Sequence, residues 1–201
     1  MSSTIDYYNT HAQAFSDSTI NVEFTHMQDR FLDLLPAGAL ILDFGCGSGR
    51  DTRYFLDQGY SVEAMDGSVE LCRLASEYTG ITVEHRYFED FDAQGKYDGI
   101  WACSSILHLD RASLADVMFR MVSALKPGGV IYTSFKYGHD EGIRNGRYFI
   151  DFTEDSFREF LDRLSCKEVS IEELWITEDA RPGRSDERWL NIILRKSKNN
   201  Q

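Results

Sequence analysis

Apolar residues in this chain alternate between short continuous runs and runs at helical spacing. Val22, Phe24, Met27, Phe31, Leu32 and Leu35 recur at helical intervals and stop at Pro36, which predicts a helix over 22–35. The apolar run 39–44 predicts a buried strand. Helix 50–58, strand 61–65, helix 69–78, strand 81–86, strand 97–103 and helix 111–124 follow by the same criteria. Lys126-Pro127-Gly128-Gly129 reads as a turn that enters a strand over 130–135. Such alternation predicts an α/β fold, a parallel sheet covered by helices on both faces. The pattern then changes. Residues 136–148 are polar and glycine-rich and read as a loop. Thr153, with Ser156 as the second choice, would cap a helix over 154–164. Strands 167–176 and 188–195, separated only by a Pro/Gly/Arg loop, predict an antiparallel hairpin at one edge of the sheet. The end of the chain, residues 196–201, reads as a fraying tail.

Composition changes this picture little. A chain of 201 residues, 42% hydrophobic and 27% charged, suits one soluble domain. We expect a single domain over 1–201, with an N-terminal lid or helical segment 1–36, a core 37–135, and a substrate-side loop and C-terminal hairpin over 136–201. No apolar run is long enough to cross a bilayer, and the first residues lack the basic and apolar regions of a signal peptide. Cys46, Cys72, Cys103 and Cys166 are scattered, with no C-x-x-C pair. These features predict a cytoplasmic protein with reduced thiols and no metal site. The net charge of −12 weighs against a nucleic-acid partner. Segments 139–147 and 181–188 are where a local basic patch would have to sit.

The candidate chemistry begins at Asp43-Phe44-Gly45-Cys46-Gly47-Ser48-Gly49-Arg50. Three alternate glycines after a buried strand let the backbone approach a ligand closely, and the helix behind them offers free N–H groups. Asp66 ends the next strand-like run, where a carboxylate can accept hydrogen bonds from both ribose hydroxyls. In isolation it equally suits a capping or turn acid. A dinucleotide loop has its third glycine one residue later than this chain does.

Asp43 with Gly45-x-Gly47-x-Gly49 resembles motif I of the class I S-adenosylmethionine-dependent methyltransferases. The resemblance implies a Rossmann-like, seven-stranded, mostly parallel sheet with a C-terminal antiparallel hairpin. It also implies S-adenosyl-L-methionine as cofactor, with 37–135 as the cofactor-binding core. The loop, including Cys46 and Arg50, would pack on the methionine part, with Asp43 close to its charged end. Gly67 and Ser68 would add backbone contacts beside Asp66. In Tyr87-Phe88-Glu89-Asp90-Phe91, Glu89 or Asp90 would approach the adenine amino group, and Phe88 or Phe91 would pack on the ring. Tyr97 to Leu109 resembles the family's fourth strand and the turn after it. Cys103 and Ser104 would there edge the cofactor through their backbone. His108 would lie near the transfer cavity, as a general base or as a histidine satisfied by carbonyls. Leu125 to Gly129 matches the turn before the fifth strand. Asp6-Tyr7-Tyr8 to Phe15 resembles the opening lid of small members, which places Tyr7 at the cofactor and Tyr8 near the reacting centre. The resemblance is closest to small stand-alone, tellurite-resistance-type enzymes and covers residues 38–135 well.

The implied activity is methyl transfer to a small-molecule acceptor, because the inserts are short. Arg147, Tyr148, Arg181 and Arg184 would face the mouth of the cavity. Arginine forks suit anionic acceptors, although on an acidic chain such arginines more often pair with surface acids. Residues Ser104-Ser105-Ile106-Leu107 stand where enzymes that methylate DNA amino groups carry an N/D-P-P-Y/F tetrad, and no Pro-Cys nucleophile appears there. A nicotinamide oxidoreductase, a partner-dependent protein or RNA methyltransferase and a non-catalytic binder remain alternatives. Monomer and homodimer are both open.

Overall fold

The computed structural model describes residues 2–164, 166 and 168–198. Residues 199–201 of the expected fraying tail, and Lys167 at the expected start of a strand, lie outside the described residues.

The elements in chain order are α1 (Ser2–Thr19), α2 (Thr25–Leu32), β1 (Leu40–Phe44), α3 (Arg50–Asp57), β2 (Ser61–Asp66), α4 (Val69–Thr79) and β3 (Val83–His85). A short 3₁₀ turn over Phe88–Asp90 leads to β4 (Tyr97–Ala102), and a second over Ile106–His108 leads to α5 (Arg111–Ala124). Then come β5 (Leu125–Lys136), β6 (Glu141–Arg144), β7 (Arg147–Ile150), α6 (Glu154–Arg163), β8 (Val169–Glu178) and β9 (Arg188–Lys196). Seven strands form one sheet in the order β3-β2-β1-β4-β5-β9-β8. The first five are parallel, and β9 runs antiparallel to both β5 and β8. This is the expected Rossmann-like sheet with its antiparallel C-terminal strands.

Strand alternation divides the core into two layers. Ile41, Trp101, Tyr132 and Ile193 face α2 and α3, where they meet Phe31 and Phe55. Leu42, Ile100, Ile131, Ile192 and Leu194 face the other side, with Leu114, Val117 and Met121 of α5 and Phe157 of α6. The Trp101 and Tyr132 rings stack at 4.0 Å across neighbouring strands, which ties β4 to β5 beneath the switch in strand order. The helix starts are capped as their sequences dictate. Ser68 accepts from the Leu71 N–H, and Asp110 from those of Ala112 and Ser113. Thr153 and Ser156 form a reciprocal capping box. No helix among the described residues is long and apolar enough to cross a membrane.

Three expectations need correction. Residues 136–148 are not all loop. They hold β6 and the start of β7, an antiparallel pair that turns through Asn145 (φ 49°) and Gly146 (φ 76°). Two consecutive left-handed residues make the tight turn whose twist matches a hairpin. Lys126 to Gly129 is a register shift inside β5, where Tyr97 pairs with Leu125 but Gly99 with Val130. The helix expected over 22–35 is shorter, Thr25–Leu32, and a longer helix precedes it in the N-terminal segment. That helix, α1, kinks at His11 (φ −111°, ψ 15°), whose side-chain Nδ1–H donates to the Tyr7 carbonyl at 2.8 Å.

Candidate functional site

The strand order reverses direction between β1 and β4, and the crevice beyond their carboxyl ends is where open α/β sheets take ligands. A cavity of about 230 Å³ lies there. Its walls come from both halves of the sheet and from α1, which crosses above it.

At one end the wall is largely backbone. Gly45, Gly47 and Gly49 all have left-handed φ, between 56° and 83°. A Cβ on Gly45 would stand 2.5 Å from the Ser105 Cβ, so the residue type is fixed by space as well as by conformation. The Gly45 and Cys46 N–H groups both donate to the Met65 carbonyl, at 2.9 and 3.0 Å, which pins the loop to β2. The Gly47 N–H donates to Asp66 Oδ2 at 2.9 Å, and the Ser68 N–H to Oδ1 at 2.8 Å. The loop amides at 45–47 are therefore engaged internally rather than free. Ser68, not Asp66, caps α4. Asp66 is left with both carboxylate oxygens oriented and a lone pair on each still available. Burial pushes its carboxyl above the usual range, with the two N–H donors opposing.

Glu89 lines the cavity beside Phe88, and its Oε1 is buried with no hydrogen-bond partner. A buried acceptor left open this way is costly unless a ligand donor fills it. The Phe88 ring stacks on Phe44 at 4.6 Å, which fixes an aromatic edge next to that acceptor. The Cys46 and Cys103 thiols also line the cavity, but burial holds both in the neutral form, Cys103 at about 12.

The other end is built from side chains distant in sequence. The Tyr8 hydroxyl and His108 Nε2 lie 2.9 Å apart. His108 Nδ1 is 2.6 Å from the Tyr148 carbonyl, which only accepts, so Nδ1 carries the proton and Nε2 accepts from Tyr8. Burial drives the imidazole down to about 4, and the charges of Arg147 and Arg144 push the same way. Arg147 sits over the rings of Tyr7 and Phe149, at 4.6 and 5.1 Å, and its Nη1 donates to the Tyr8 oxygen at 3.3 Å. Beyond it the cavity reaches Lys136, Asp179, Arg181, Arg184 and Trp189.

Most candidates from the sequence come together here: Tyr8, Gly45, Cys46, Gly47, Arg50, Asp66, Gly67, Phe88, Glu89, Cys103, Ser104, His108, Arg147 and Arg184 all line the cavity. Six do not. Asp43 is only 2% exposed and accepts from the Thr52 hydroxyl at 2.5 Å, behind the loop; burial and then Asp51 raise its carboxyl pKa. Gly49 packs against Ala75 and Thr79 of α4. Ser68 serves as the cap and bonds Asn9 of α1. Asp90 lies one position past Glu89, off the cavity wall. Tyr7 stacks on His11 at 4.3 Å, because adjacent helical residues point about 100° apart and Tyr8 takes the inward direction. Tyr148 points away for the matching reason in a strand: residues 147 and 149 share the cavity face, and its hydroxyl donates to Glu141. Phe15, the last residue of the expected lid stretch, lines the cavity as well, and the sequence reading gave no site role to Phe149, Asp179 and Trp189, which also line it.

Residues 41–129 match the family described as methyltransferase domain. The 2-methyl-6-phytyl-1,4-hydroquinone methyltransferase of Synechocystis sp. is 32% identical over 120 residues, which cover 55% of this chain and 36% of that protein. The chain thus spans about a third of that relative's length. An uncharacterized methyltransferase of Staphylococcus carnosus is 24% identical, over 81% of this chain and 86% of its own. Among solved structures, the 1,6-didemethyltoxoflavin-N1-methyltransferase of Burkholderia thailandensis, with bound S-adenosylhomocysteine, superposes with a TM-score of 0.73. It is 22% identical, and the match covers 96% of this chain and 85% of that one, a likeness of fold. Residues 41–129 thus match a methyltransferase domain, set in the sheet order and beside the glycine loop, tied to a carboxylate at the end of β2, that the resemblance to the class I S-adenosylmethionine-dependent methyltransferases implies.

Proposed function

We propose that this protein transfers the methyl group of S-adenosylmethionine to a small-molecule acceptor. One observation carries the reading: a single cavity has Asp66 and Glu89 at one end and the Tyr8–His108 pair with Arg147 at the other. The residues fit the cofactor on their own chemistry. Asp66 offers two oriented oxygens to ribose hydroxyls. Glu89 Oε1 is an acceptor that lacks a donor, as an adenine amino group would be. Phe88 presents a ring beside it.

When bound, the cofactor supplies an electrophilic methyl group on a sulfonium. This chain's residues hold donor and acceptor in line, and that positioning is worth more than any single side chain. α1 lies over the crevice and excludes water, with Phe15 above Gly47 and Ile5 above Gly67. His108 is the group that can take an acceptor proton. Its Nδ1–H is committed to the Tyr148 carbonyl, so only Nε2 is basic, and it becomes free once the Tyr8 hydroxyl turns away. Burial, and after it the nearby arginines, keep it neutral.

A small acceptor is supported by the size of the cavity and by the names of two similar proteins, which act on a hydroquinone and on a didemethyltoxoflavin. The test is methyl transfer from labelled donor into a cell extract separated into small-molecule, protein and RNA fractions, alongside S-adenosylhomocysteine binding by thermal shift. We expect binding, and label in the small-molecule fraction. Label confined to protein or RNA would overturn the acceptor class, and no stabilisation by S-adenosylhomocysteine would overturn the donor.

A further inference from the structure

We propose that the acceptor carries an oxyanion, a carboxylate or phosphate, and that it binds side-on to the guanidinium of Arg147. This deepens the methyl-transfer reading and rests on it. The argument starts from how the cavity's cations are spent. Arg50 is paired with Asp51 at 2.7 and 3.0 Å. Arg181 makes a fork to Asp179 at 2.9 and 2.5 Å, Arg184 lies 3.4 Å from Glu187, and Lys136 bonds Glu187 as well. Arg144, next to the hairpin turn, is bidentate to Asp151 at 2.7 and 2.5 Å. Arg147 differs: among the described residues no carboxylate pairs with it. On a chain with 33 acidic and 21 basic residues, pairing is the easy outcome, so its absence at a cavity wall is informative.

The geometry of the side chain narrows the ligand. Three aromatic rings crowd the guanidinium, whose carbon lies over Tyr7 at 4.6 Å, Phe149 at 5.1 Å and Tyr8 at 5.7 Å, and none of them supplies a carboxylate acceptor. Nη1 is engaged with the Tyr8 oxygen. Nε is shielded from solvent and has no acceptor. The Nε edge of arginine is one of the two edges that match a planar oxyanion with two parallel hydrogen bonds. Arg144 Nε is likewise buried without an acceptor, so the missing carboxylate partner is what sets Arg147 apart. Packing among the three rings also restricts the side chain, so less side-chain entropy is lost on binding. An oxyanion at this edge would lie beside the Tyr8–His108 pair, which brings the rest of the acceptor to the open end of the crevice.

The test divides a small-molecule extract by anion exchange at neutral pH. Retained and unretained fractions are then supplied separately with labelled donor, and wild type is compared with Arg147→Gln and Arg147→Lys. S-adenosylhomocysteine affinity is measured on all three proteins and serves also as the check on folding. We expect transfer from the retained fraction only. Arg147→Gln should raise KM for that material about 30-fold with a smaller change in kcat. Arg147→Lys should recover part of the loss, since it restores charge without the fork, and donor affinity should stay within about threefold. Transfer from the unretained fraction, or an unchanged KM in Arg147→Gln, would overturn the proposal while leaving methyl transfer intact. A tenfold loss of S-adenosylhomocysteine affinity in Arg147→Gln would assign the arginine to the donor's own carboxylate and also overturn it. If neither fraction accepts label although S-adenosylhomocysteine binds, the small-molecule reading fails, and this proposal fails with it.

Discussion

The two ends of the cavity are built by opposite means. The donor end comes from a nearly continuous stretch, residues 44–68 with 88 and 89, and its key contacts are backbone amides: Gly45 and Cys46 to Met65, Gly47 to Asp66. The acceptor end draws Tyr8, His108, Arg147 and Trp189 from four separate parts of the chain, and its contacts are made by side chains, to one another and, for His108, to the Tyr148 carbonyl. A backbone-built end tolerates few sequences, because glycine conformations and close approaches admit no substitute. A side-chain-built end can be retuned one residue at a time. The structure thus separates a fixed donor platform from an adjustable acceptor wall. Two segments touch both: α1, with Ile5 and Phe15 over the glycines and Tyr8 on His108, and the turn after β4, with Ser105 against Gly45 and His108 three residues on.

The largest expected effect lies at the fixed end. Asp66→Ala removes two charge-assisted acceptors for the ribose, each worth about 1.5–3 kcal/mol. We expect S-adenosylhomocysteine affinity, measured by titration calorimetry, to fall on the order of 100-fold or more. Thermal stability should fall by less than this, because the loss of the acceptor for the Gly47 and Ser68 N–H groups is offset in part by removal of a carboxylate that burial disfavours. Affinity within about threefold of wild type would remove the ribose role and, with it, the division into two ends.

A second test uses pH, because the two ends respond with opposite sign. Asp43 and Asp66 have raised folded pKa values, so the stability they contribute is present at low pH and lost as pH rises. His108 has a folded value of about 4 against about 6.5 unfolded. Its contribution is therefore present above pH 6.5 and lost as pH falls toward 4. Between pH 7 and pH 4.5 that loss is roughly 2 kcal/mol. Comparing His108→Gln with wild type isolates it, because the aspartates cancel in the difference. Urea unfolding at the two pH values should show wild type losing about that much more stability than the variant. Equal losses would mean that His108 titrates freely in the folded protein.

The same division explains what the sequence disclosed. The parallel strands, the antiparallel end of the sheet, the Thr153 cap and the glycine loop all follow from local rules, since each depends on residues within one turn or one strand. Asp66 was legible because its position after β2 is tied to that loop. The acceptor end obeys no local rule. Choosing Tyr8 over Tyr7 needs the phase of a mostly polar helix, and the His11 kink interrupts that phase. Choosing Arg147 and Phe149 over Tyr148 needs β7 to be seen as a strand. That signal was present in Asn145-Gly146, but the polar and charged residues around it, Asp140, Glu141, Arg144 and Arg147, hid the flanking alternation. Trp189 reads as an edge tryptophan until the loop before β9 is known to fold Asp179 onto its Nε1–H, at 3.0 Å.

The smallest expected effect is the sharpest probe of whether the ends are separable. Gly146 has a φ of 76°, and an added Cβ would meet only Tyr7 Cδ2 at 3.5 Å, an ordinary contact. Gly146→Ala therefore introduces backbone strain without a clash, at a cost of about 1 kcal/mol. The strain falls on the turn that aims Arg147, two residues from Tyr148, whose carbonyl orients His108. We expect a severalfold rise in acceptor KM, read as labelled-methyl transfer against extract concentration, and unchanged S-adenosylhomocysteine affinity. The glycine loop and Asp66 share no hydrogen bond with this hairpin, so a change confined to the turn reaches them only through α1, where the Tyr148 N–H donates to Thr4, or through the turn after β4, where His108 follows Ser105. If donor affinity falls in step with acceptor KM, one of these routes is in use, and the two ends are coupled rather than separable.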